Sequence, residues 1–343
     1  MANRLTTFGN DLYSGERSVS FIGKRKIWLT IAGVLMVLAI AVPFIRGGGN
    51  FGNGFNFGIE FRGGSQFQVS QASTNGGPPL ASAAEDAVHT VVPDAVVRST
   101  TVGADGVRVQ TDQLTDPQTQ DVTAALKKEY STTTVDSSFV GATWGADITR
   151  QALVGLGVFL LLAFILMALY FRTWKMSVAA MIALLHDLVI TVGVYAATGF
   201  EITPAAVIGF LTILGFSLYD TVVVFDKIRE NTSELGDDAT RTFGETVNLA
   251  VNQTLVRSIN TGVVAALPVA AILFLGSFVL GADTLRDISL ALLVGTLIGT
   301  YSTPFVASPL YALFRQGEPA IAARDKRALA LREKSRTPAG ATA

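Results

Sequence analysis

Long uncharged runs alternate with polar segments along this chain, and six of the runs are long enough to cross a membrane. A transmembrane helix needs about 20 apolar residues to span roughly 30 Å of hydrocarbon. A helix buried in a soluble core is usually shorter and seldom recurs six times in one chain. The sequence therefore predicts six transmembrane helices, at residues 27–45, 151–171, 176–200, 202–225, 258–282 and 288–314.

The distribution of basic residues predicts how these helices are oriented. Lys and Arg concentrate before the first span, between spans two and three, between spans four and five, and after the sixth. Cytoplasmic loops carry an excess of such residues, so both termini are expected in the cytoplasm. Ala39-Ile40-Ala41 resembles a signal-peptidase site. The apolar run continues past it and a long basic region precedes it, so we interpret the first span as an uncleaved anchor.

The segment at 46–150 is polar and is expected on the outer face of the membrane. Its alternation of apolar and polar positions and its turn residues predict the order β-α-β-β-α-β, which is the ferredoxin-like pattern. A fold this common fixes no function. The strands are predicted at 66–70, 95–102, 106–111 and 132–140, and the helices at 80–91 and 116–130.

The predicted fold is thus an α-helical polytopic membrane protein with an inserted α+β, ferredoxin-like extracytoplasmic domain. The tail is expected to form a short basic helix at the membrane surface, or simply to supply topology anchors. The predicted segments are a cytoplasmic N-terminal segment (1–26), the first transmembrane helix (27–45), the extracytoplasmic domain (46–150), transmembrane helices two to six (151–314) and a cytoplasmic basic tail (315–343).

Composition excludes several classes of function. Charged residues make up 15% of the chain, against about 25% in soluble globular proteins. With no Cys and 2 His, the chain predicts no disulfide, no thiol catalysis and no metal site. The 26 basic and 27 acidic residues indicate no nucleic-acid partner. Because no phosphate-binding loop or hydrolase motif is present, we expect neither an enzyme nor a cofactor, and any energy is expected to come from an ion gradient.

Two carboxylates fall inside the predicted spans, where an ionisable side chain costs at least about 2.5–3.5 kcal/mol. Asp187 lies near the middle of span three, and its neighbours His186 and Thr191 offer local partners. For this residue a functional and a structural role are equally compatible with the sequence.

Asp220 lies on the same helical stripe as Gly209, which places its carboxylate towards the bundle. Gly209 and Gly215 are expected to allow close helix approach there. Our hypothesis is that Asp220 binds and releases protons. The alternative is a structural carboxylate that is permanently paired.

Two further charged residues lie near the predicted cytoplasmic ends of spans four and five. Asp226 is interpreted as a solvated carboxylate at the membrane interface. Arg257 is either the counter-charge of Asp220 or a cytoplasmic anchor, and its long side chain allows the two charges to meet. A carboxylate whose Arg partner comes and goes changes its proton affinity with conformation. A carboxylate and an Arg partner of this kind are the minimum needed to couple a proton flux to movement.

Four motifs resemble those of the SecD/SecF family of export proteins. The fourth-span motif is highly specific, whereas the first differs from the usual GIDFxGG in having Glu60 for Asp. The family signature residues are Gly58, Glu60, Gly63 and Gly64. The motifs are GIEFRGGS at 58–65, LHD at 185–187, FSLYDTVVVFDKIREN at 216–231 and NQTLVRSINT at 252–261.

The resemblance implies a multi-pass subunit of the bacterial inner membrane that acts with SecD beside the SecYEG channel. It implies use of the proton-motive force to promote translocation of preproteins, with membrane lipids and protons as further partners. The small insert favours the SecF branch. Placed by motif, Asp220 is the proton-linked carboxylate, Arg257 its partner, and Asp187 and His186 belong to the same polar core. The related RND transporters have two six-span halves, so this chain is expected to pair with another.

Two other functions remain open from the sequence. A half-size RND permease for small molecules or lipids predicts a large outer domain with a substrate cleft, for which about 100 residues are too few. A membrane assembly scaffold without ion coupling predicts that neutral substitutions at Asp220 are tolerated.

Overall fold

A computed structural model describes residues 4–74, 77–103, 105–233, 241–276 and 283–336. Within these ranges six helical segments are long and apolar enough to cross a membrane, which confirms the predicted number. The helices are α1 (Arg4–Ser14), α2 (Arg25–Arg46), α3 (Ile59–Arg62), α4 (Ala81–Val91), α5 (Asp116–Glu129), α6 (Ala142–Phe171), α7 (Trp174–Thr198), α8 (Pro204–Ser233), α9 (Phe243–Phe274), α10 (Asp283–Ser302), α11 (Ser308–Arg315) and α12 (Pro319–Arg336), with a π-helical turn at Thr303–Ala307.

The six spanning helices, which are α2, α6, α7, α8, α9 and the unit from α10 to α11, extend beyond the apolar runs that predicted them. Helix α6 begins nine residues before position 151, and α9 begins fifteen residues before position 258. Hydropathy marks only the part of a helix that faces lipid, whereas polar residues continue the same helix in water. A capping box of Thr242 and Glu245 starts α9. The described part of the stretch between predicted spans four and five, residues 226–233 and 241–257, is therefore largely helical, and Arg257 lies well inside α9.

A four-stranded antiparallel sheet lies between α2 and α6 in sequence, and we call it, with helices α4 and α5, the outer domain. The elements follow the predicted order β-α-β-β-α-β, and the sheet order is β3-β4-β2-β5. A separate parallel pair joins β1 to β6. The strands are β1 (Asn56–Phe57), β2 (Gly64–Val69), β3 (Val97–Val102), β4 (Gly106–Thr111), β5 (Val135–Val140) and β6 (Glu201–Ile202).

The two faces of this sheet differ because side chains alternate along each strand. Phe67, Val69, Val107 and Val109 are buried on one face against apolar residues of α4 and α5. The opposite face is polar, and its residues Arg108 and Gln110 reach the loop between α7 and α8. The outer domain thus has its own apolar core and turns a polar face to the membrane bundle.

Close packing of α8 against α10 forms the centre of the bundle. A Cβ built on Gly209 would lie 2.6 Å from the Cβ of Ala291, so the expected close approach at Gly209 is confirmed. A Cβ on Gly215 would meet nothing within 4 Å, so the same expectation for Gly215 is wrong. Gly215 is exposed on the other side of the helix, away from α10.

On the side of the bundle that holds both termini, the start of α9 binds the N-terminal segment and the tail. Asn248 and Asn252 accept hydrogen bonds from the backbone of Phe21 and Val19. Arg332 of α12 pairs with Glu245. The predicted basic tail is therefore helical over Pro319–Arg336 and is held to α9 through Arg332, and its last residues, 337–343, lie outside the described ranges.

Candidate functional site

Asp187 is almost fully buried in the middle of α7 and links three helices. Its Oδ2 accepts hydrogen bonds from Ser217 on α8, at 2.6 Å, and from Ser302 at the end of α10, at 2.8 Å. Its Oδ1 lies 3.1 Å from Nδ1 of His186. Both oxygens of this carboxylate are therefore engaged, and the side chain braces the bundle.

Asp220 lies on α8, one turn beyond Ser217, and is also buried. Its Oδ1 accepts a hydrogen bond of 2.9 Å from Ser258 on α9. Its Oδ2 is buried and forms no hydrogen bond of normal geometry in the described part of the chain, although the hydroxyl of Thr303 lies close enough to interact with the carboxylate. Because a buried polar atom normally finds a partner, this oxygen is a place where a proton can be accommodated.

The π-helical turn of the sixth span lies between the surroundings of the two carboxylates. Ser302, which binds Asp187, immediately precedes the turn, and Thr303 is its first residue. The hydroxyl of Thr303 lies 3.1 Å from that of Thr221, the neighbour of Asp220. π-helical segments often occur at functional sites, where they offset the helix from its regular pattern. Asp187 and Asp220 are thus brought into one continuous polar region of the bundle.

Arg257 does not form the expected ion pair with Asp220. Its Nη2 lies 3.5 Å from the hydroxyl of Tyr219, and both side chains are exposed on the outside of the bundle. Ser258, one residue further along α9, binds Asp220 instead. Successive helical residues point about 100° apart, so only one of the two can face the buried side of α8. Arg257 lies about 21 Å along α9 from Phe243 and therefore not at the start of the helix.

Asp226 and His186, the two secondary residues, lie in different surroundings, as their sequence contexts suggest. Asp226 is exposed and accepts a hydrogen bond of 3.3 Å from the hydroxyl of Tyr170, which agrees with a solvated carboxylate. His186 is buried, and its ring centroid lies 6.2 Å from that of Tyr301. His186 therefore belongs to the Asp187 side of the polar region, whereas Asp226 lies outside it.

The hydroxyl side chains that bind or adjoin the two carboxylates were missed in the sequence. Ser217, Ser258, Ser302 and Thr303 are all buried. A signal was present, because Ser217 precedes Asp220 by nearly one turn and Ser258 adjoins Arg257 in a recognised motif. Serine is common in membrane helices, however, and sequence spacing within one helix does not reveal which neighbouring helix a hydroxyl faces.

The family signature residues lie apart from this polar region, at the junction between the outer domain and the bundle. Gly63 and Gly64 have φ of 77° and 143°, which side chains with a Cβ rarely adopt, and they turn the chain from α3 into β2. Glu60 lies on α3 and is half-buried. Among the described residues no group of three His, Asp or Glu side chains could hold a metal ion.

Two known protein families match parts of this sequence that together make up more than half of the chain. The family described as "Protein export membrane protein SecD/SecF, C-terminal" matches residues 119–317. The "SecD/SecF GG Motif" matches residues 51–70, which include the signature glycines. The chain belongs to the SecD/SecF family. The resemblance noted in its four motifs is therefore confirmed.

Similar proteins within this family are SecF subunits. Protein translocase subunit SecF of Streptomyces coelicolor is 42% identical over 332 residues, which cover 96% of this chain and 86% of the relative. Protein translocase subunit SecF of Mycobacterium tuberculosis is 38% identical over 346 residues, covering 97% and 75%. The chain is thus a multi-pass membrane subunit of the SecF type in protein export.

Solved structures extend the comparison to a longer protein. The crystal structure of SecDF, a translocon-associated membrane protein from Thermus thermophilus, matches with a TM-score of 0.71 and 30% identity, over 88% of this chain and 39% of that one. SecDF in its super-membrane-facing form matches with a TM-score of 0.54 and 26% identity, over 93% and 40%. This SecD/SecF-family chain therefore spans about two fifths of those SecDF chains.

Proposed function

We propose that this subunit uses the proton-motive force to promote translocation of preproteins across the bacterial inner membrane, and that Asp220 is the carboxylate that exchanges protons. The observation that supports this assignment is that the two carboxylate oxygens of Asp220 are not equally hydrogen-bonded. One oxygen is held by Ser258 and the other is buried without a hydrogen bond of normal geometry in the described ranges. A proton bound there removes a charge from the bundle, and its release restores the charge.

The contacts of Asp220 and its neighbour Thr221 explain how a change of charge at Asp220 affects other helices. Asp220 connects α8 to α9 through Ser258, and its neighbour Thr221 contacts the π-helical turn through Thr303. Loss or gain of charge at Asp220 changes the balance between these contacts. Asp187, which braces α7, α8 and α10, provides the fixed frame against which α9 and the π turn move.

The partner we propose is a SecD protein, which supplies the second six-span half. Arg257 and Tyr219 are exposed side by side on α9 and α8, next to the buried contact of Ser258 with Asp220. An arginine that faces hydrocarbon is costly, so we expect Arg257 to be covered by protein rather than lipid. In the Thermus thermophilus relative, named SecDF, this chain matches 37% of the sequence, which leaves room for such a half. SecYEG and the translocating preprotein complete the assembly, and membrane lipids cover the remaining apolar faces.

The proposed placement has both termini in the cytoplasm and the outer domain, which we class as ferredoxin-like, outside. Its strand order β3-β4-β2-β5 supports this class. Because the chain has 0 Cys, single cysteines at Ser14 and Gln118 test the topology without background. In intact spheroplasts an impermeant maleimide should label Gln118→Cys and leave Ser14→Cys unlabelled. Labelling at Ser14 would contradict the placement.

The rival functions make different demands. A permease for small molecules or lipids needs a substrate cleft in the outer domain, and the core of this domain is filled by its own apolar side chains. A scaffold without ion coupling tolerates neutral substitutions at Asp220. The export experiment below separates the scaffold from the proton-driven subunit.

The test replaces the native subunit with Asp220→Asn in cells and follows export of a secretory protein with and without the proton gradient. The amide is nearly isosteric, so the variant should fold, insert and copurify with SecD and SecYEG while losing gradient-dependent stimulation. Asp226→Asn, the same exchange on the same helix, is the matched control and should retain it. Stimulation of wild-type size in Asp220→Asn would reject the proton site and favour the scaffold.

A further inference from the structure

The outer domain is joined to the membrane bundle by a small polar junction that includes the family signature. Strand β1 pairs with β6, with Asn56 opposite Glu201 and Phe57 opposite Ile202. The amide of Gly58 donates a hydrogen bond of 3.0 Å to the carbonyl of Ile202. The segment that enters the outer domain is thus bound to the loop between α7 and α8.

Glu201 is the central acceptor of this junction. Its Oε1 accepts a hydrogen bond of 2.6 Å from Nε2 of Gln110, and its Oε2 lies 3.3 Å from Nη1 of Arg108. Both donors are neighbours on the polar face of β4. Only 8% of the Arg108 side chain and 16% of the Glu201 side chain are exposed. The sheet of the outer domain is therefore attached to the bundle by a partly dehydrated ion pair.

A second carboxylate, that of Glu60, lies beside Glu201. A Cβ built on Gly58 would lie 3.0 Å from Oε1 of Glu201 and would also meet the carboxylate of Glu60. The two carboxylates therefore flank the same glycine. Oε2 of Glu60 is buried and has no hydrogen-bond partner within the described residues. When both groups are ionised, they repel each other and share the positive charge of Arg108.

Among the residues that the structure describes, three charged groups act on Glu60, namely Arg108 of β4, Glu201 of β6 and Asp287 of α10. Arg62 of α3 lies near Glu201 and Arg98 of β3, and Arg286 of α10 lies beside Asp287. Asp287 is engaged by the hydroxyl of Thr203, at 3.0 Å, and by Arg286, at 3.4 Å. The only acid of this set with an oxygen that is both buried and unpartnered in the described ranges is Glu60.

Burial raises the pKa of Glu60 above its ordinary value of 4.5, and the charge of Glu201 adds to the rise, while the Glu60 backbone amide and Arg108 act against it. A carboxylic acid with a raised pKa in the docked state favours docking when it is protonated. The stabilisation is complete below the ordinary pKa and is lost as the pH rises through the docked-state value.

We propose that Glu60 and Glu201 form a pH-sensitive latch that seats the outer domain on the membrane bundle. When Glu60 is protonated, Glu201 is the only one of the two glutamates that is charged and attracts Arg108, and the β1–β6 pair remains hydrogen-bonded. With Glu60 ionised, the second negative charge weakens the junction and the outer domain loosens. The latch responds to the pH of the compartment that holds the outer domain and is separate from Asp220 in the bundle.

Hydrogen–deuterium exchange on the full chain in nanodiscs tests the latch. The peptides that contain β1 and β6 are followed at about pH 4 and about pH 8 in the wild type, in Glu60→Gln and in Glu129→Gln. Comparison at equal pH removes the intrinsic pH dependence of exchange. Glu129 is an exposed acid of the same domain and serves as the matched control.

The latch predicts that wild type and Glu60→Gln exchange alike near pH 4, and that near pH 8 the wild type exchanges roughly fivefold faster or more. Glu129→Gln should follow the wild type throughout. Equal exchange of wild type and Glu60→Gln at both pH values would overturn the latch. So would faster exchange of Glu60→Gln at both, because Glu60 would then act as an anion. If Glu60→Gln fails to fold, Glu60→Ala must lose the same pH dependence.

Discussion

Asp187 and Asp220 are both buried in the same helix bundle, yet their surroundings differ. Asp187 receives two serine hydroxyls on one oxygen and His186 on the other, so three spanning helices converge on it. Asp220 receives one serine hydroxyl, and its second oxygen forms no hydrogen bond of normal geometry in the described chain. Burial alone therefore does not single out a proton-exchanging group. The difference lies in how completely the carboxylate is satisfied.

The contrast assigns different roles to two carboxylates that the sequence placed in one polar core. A fully satisfied buried carboxylate resists change, because moving it leaves several donors unpaired. A partly satisfied one can gain a proton without breaking an existing contact. We therefore expect substitution at Asp187 to affect stability and substitution at Asp220 to affect coupling.

The largest expected effect on stability is that of Asp187→Ala. Removing the carboxylate leaves the donors Ser217 and Ser302 without their acceptor inside the bundle. At about 1–3 kcal/mol for each hydroxyl, the free energy of unfolding should fall by about 2–6 kcal/mol. Thermal unfolding in detergent measures the loss. Asp220→Asn, in contrast, should unfold near the wild-type temperature. A larger loss for Asp220→Asn than for Asp187→Ala would reverse the proposed roles.

A smaller loss of stability is expected when a methyl group is added to α10 beside Ser217, which donates a hydrogen bond to Asp187. A Cβ on Gly299 would lie 3.1 Å from the Cβ of Ser217, so Gly299→Ala should push this serine away from Asp187. Overpacking of this kind costs about 1–3 kcal/mol. The same unfolding measurement on Gly215→Ala, where a Cβ meets nothing within 4 Å, gives the control. Equal stability of the two variants would mean that α10 yields without disturbing Asp187.

A double-mutant cycle separates the two residues of α9 that were candidates for contact with Asp220. Ser258→Ala combined with Asp220→Ala should show a coupling energy of about 1 kcal/mol, since the two side chains share a hydrogen bond that each substitution removes. Arg257→Ala combined with Asp220→Ala should be additive in the isolated subunit. Strong coupling of Arg257 to Asp220 there would restore the ion pair expected from the sequence.

The smallest effect is expected at Asp226. Its carboxylate is exposed and holds a single tyrosine hydroxyl, so Asp226→Asn should change the unfolding free energy by no more than about 0.5 kcal/mol. Tyr170→Phe, which removes the donor, should be equally mild. A change above about 1 kcal/mol in either variant would show that Asp226 is part of the bundle's polar region after all.

The sequence predicted those features that depend on local pattern. Charge-free runs identified six spans, and alternation with turn residues identified the order of the outer-domain elements. Helix ends were predicted less well, because hydropathy stops where the membrane stops and α9 continues to Thr242. The buried position of Asp220 also followed from its helical stripe.

Contacts between helices were beyond the sequence. The expected pairing of Asp220 with Arg257 is not formed, because the next residue of α9, Ser258, is the one that faces Asp220. Charge complementarity suggested the arginine, but the rotation of α9 about its axis is set by the packing of its whole length. The β1–β6 pair was missed for a similar reason, as each strand has only two residues.

Proton movement through the reconstituted complex tests the central assignment most directly. The subunit, its SecD partner and SecYEG are placed in proteoliposomes, and a pH-sensitive dye reports proton entry when a preprotein is translocated under an imposed gradient. Wild type and Asp226→Asn should give the same preprotein-dependent flux, and Asp220→Asn should abolish it while the complex remains assembled. Undiminished flux through Asp220→Asn would contradict the assignment.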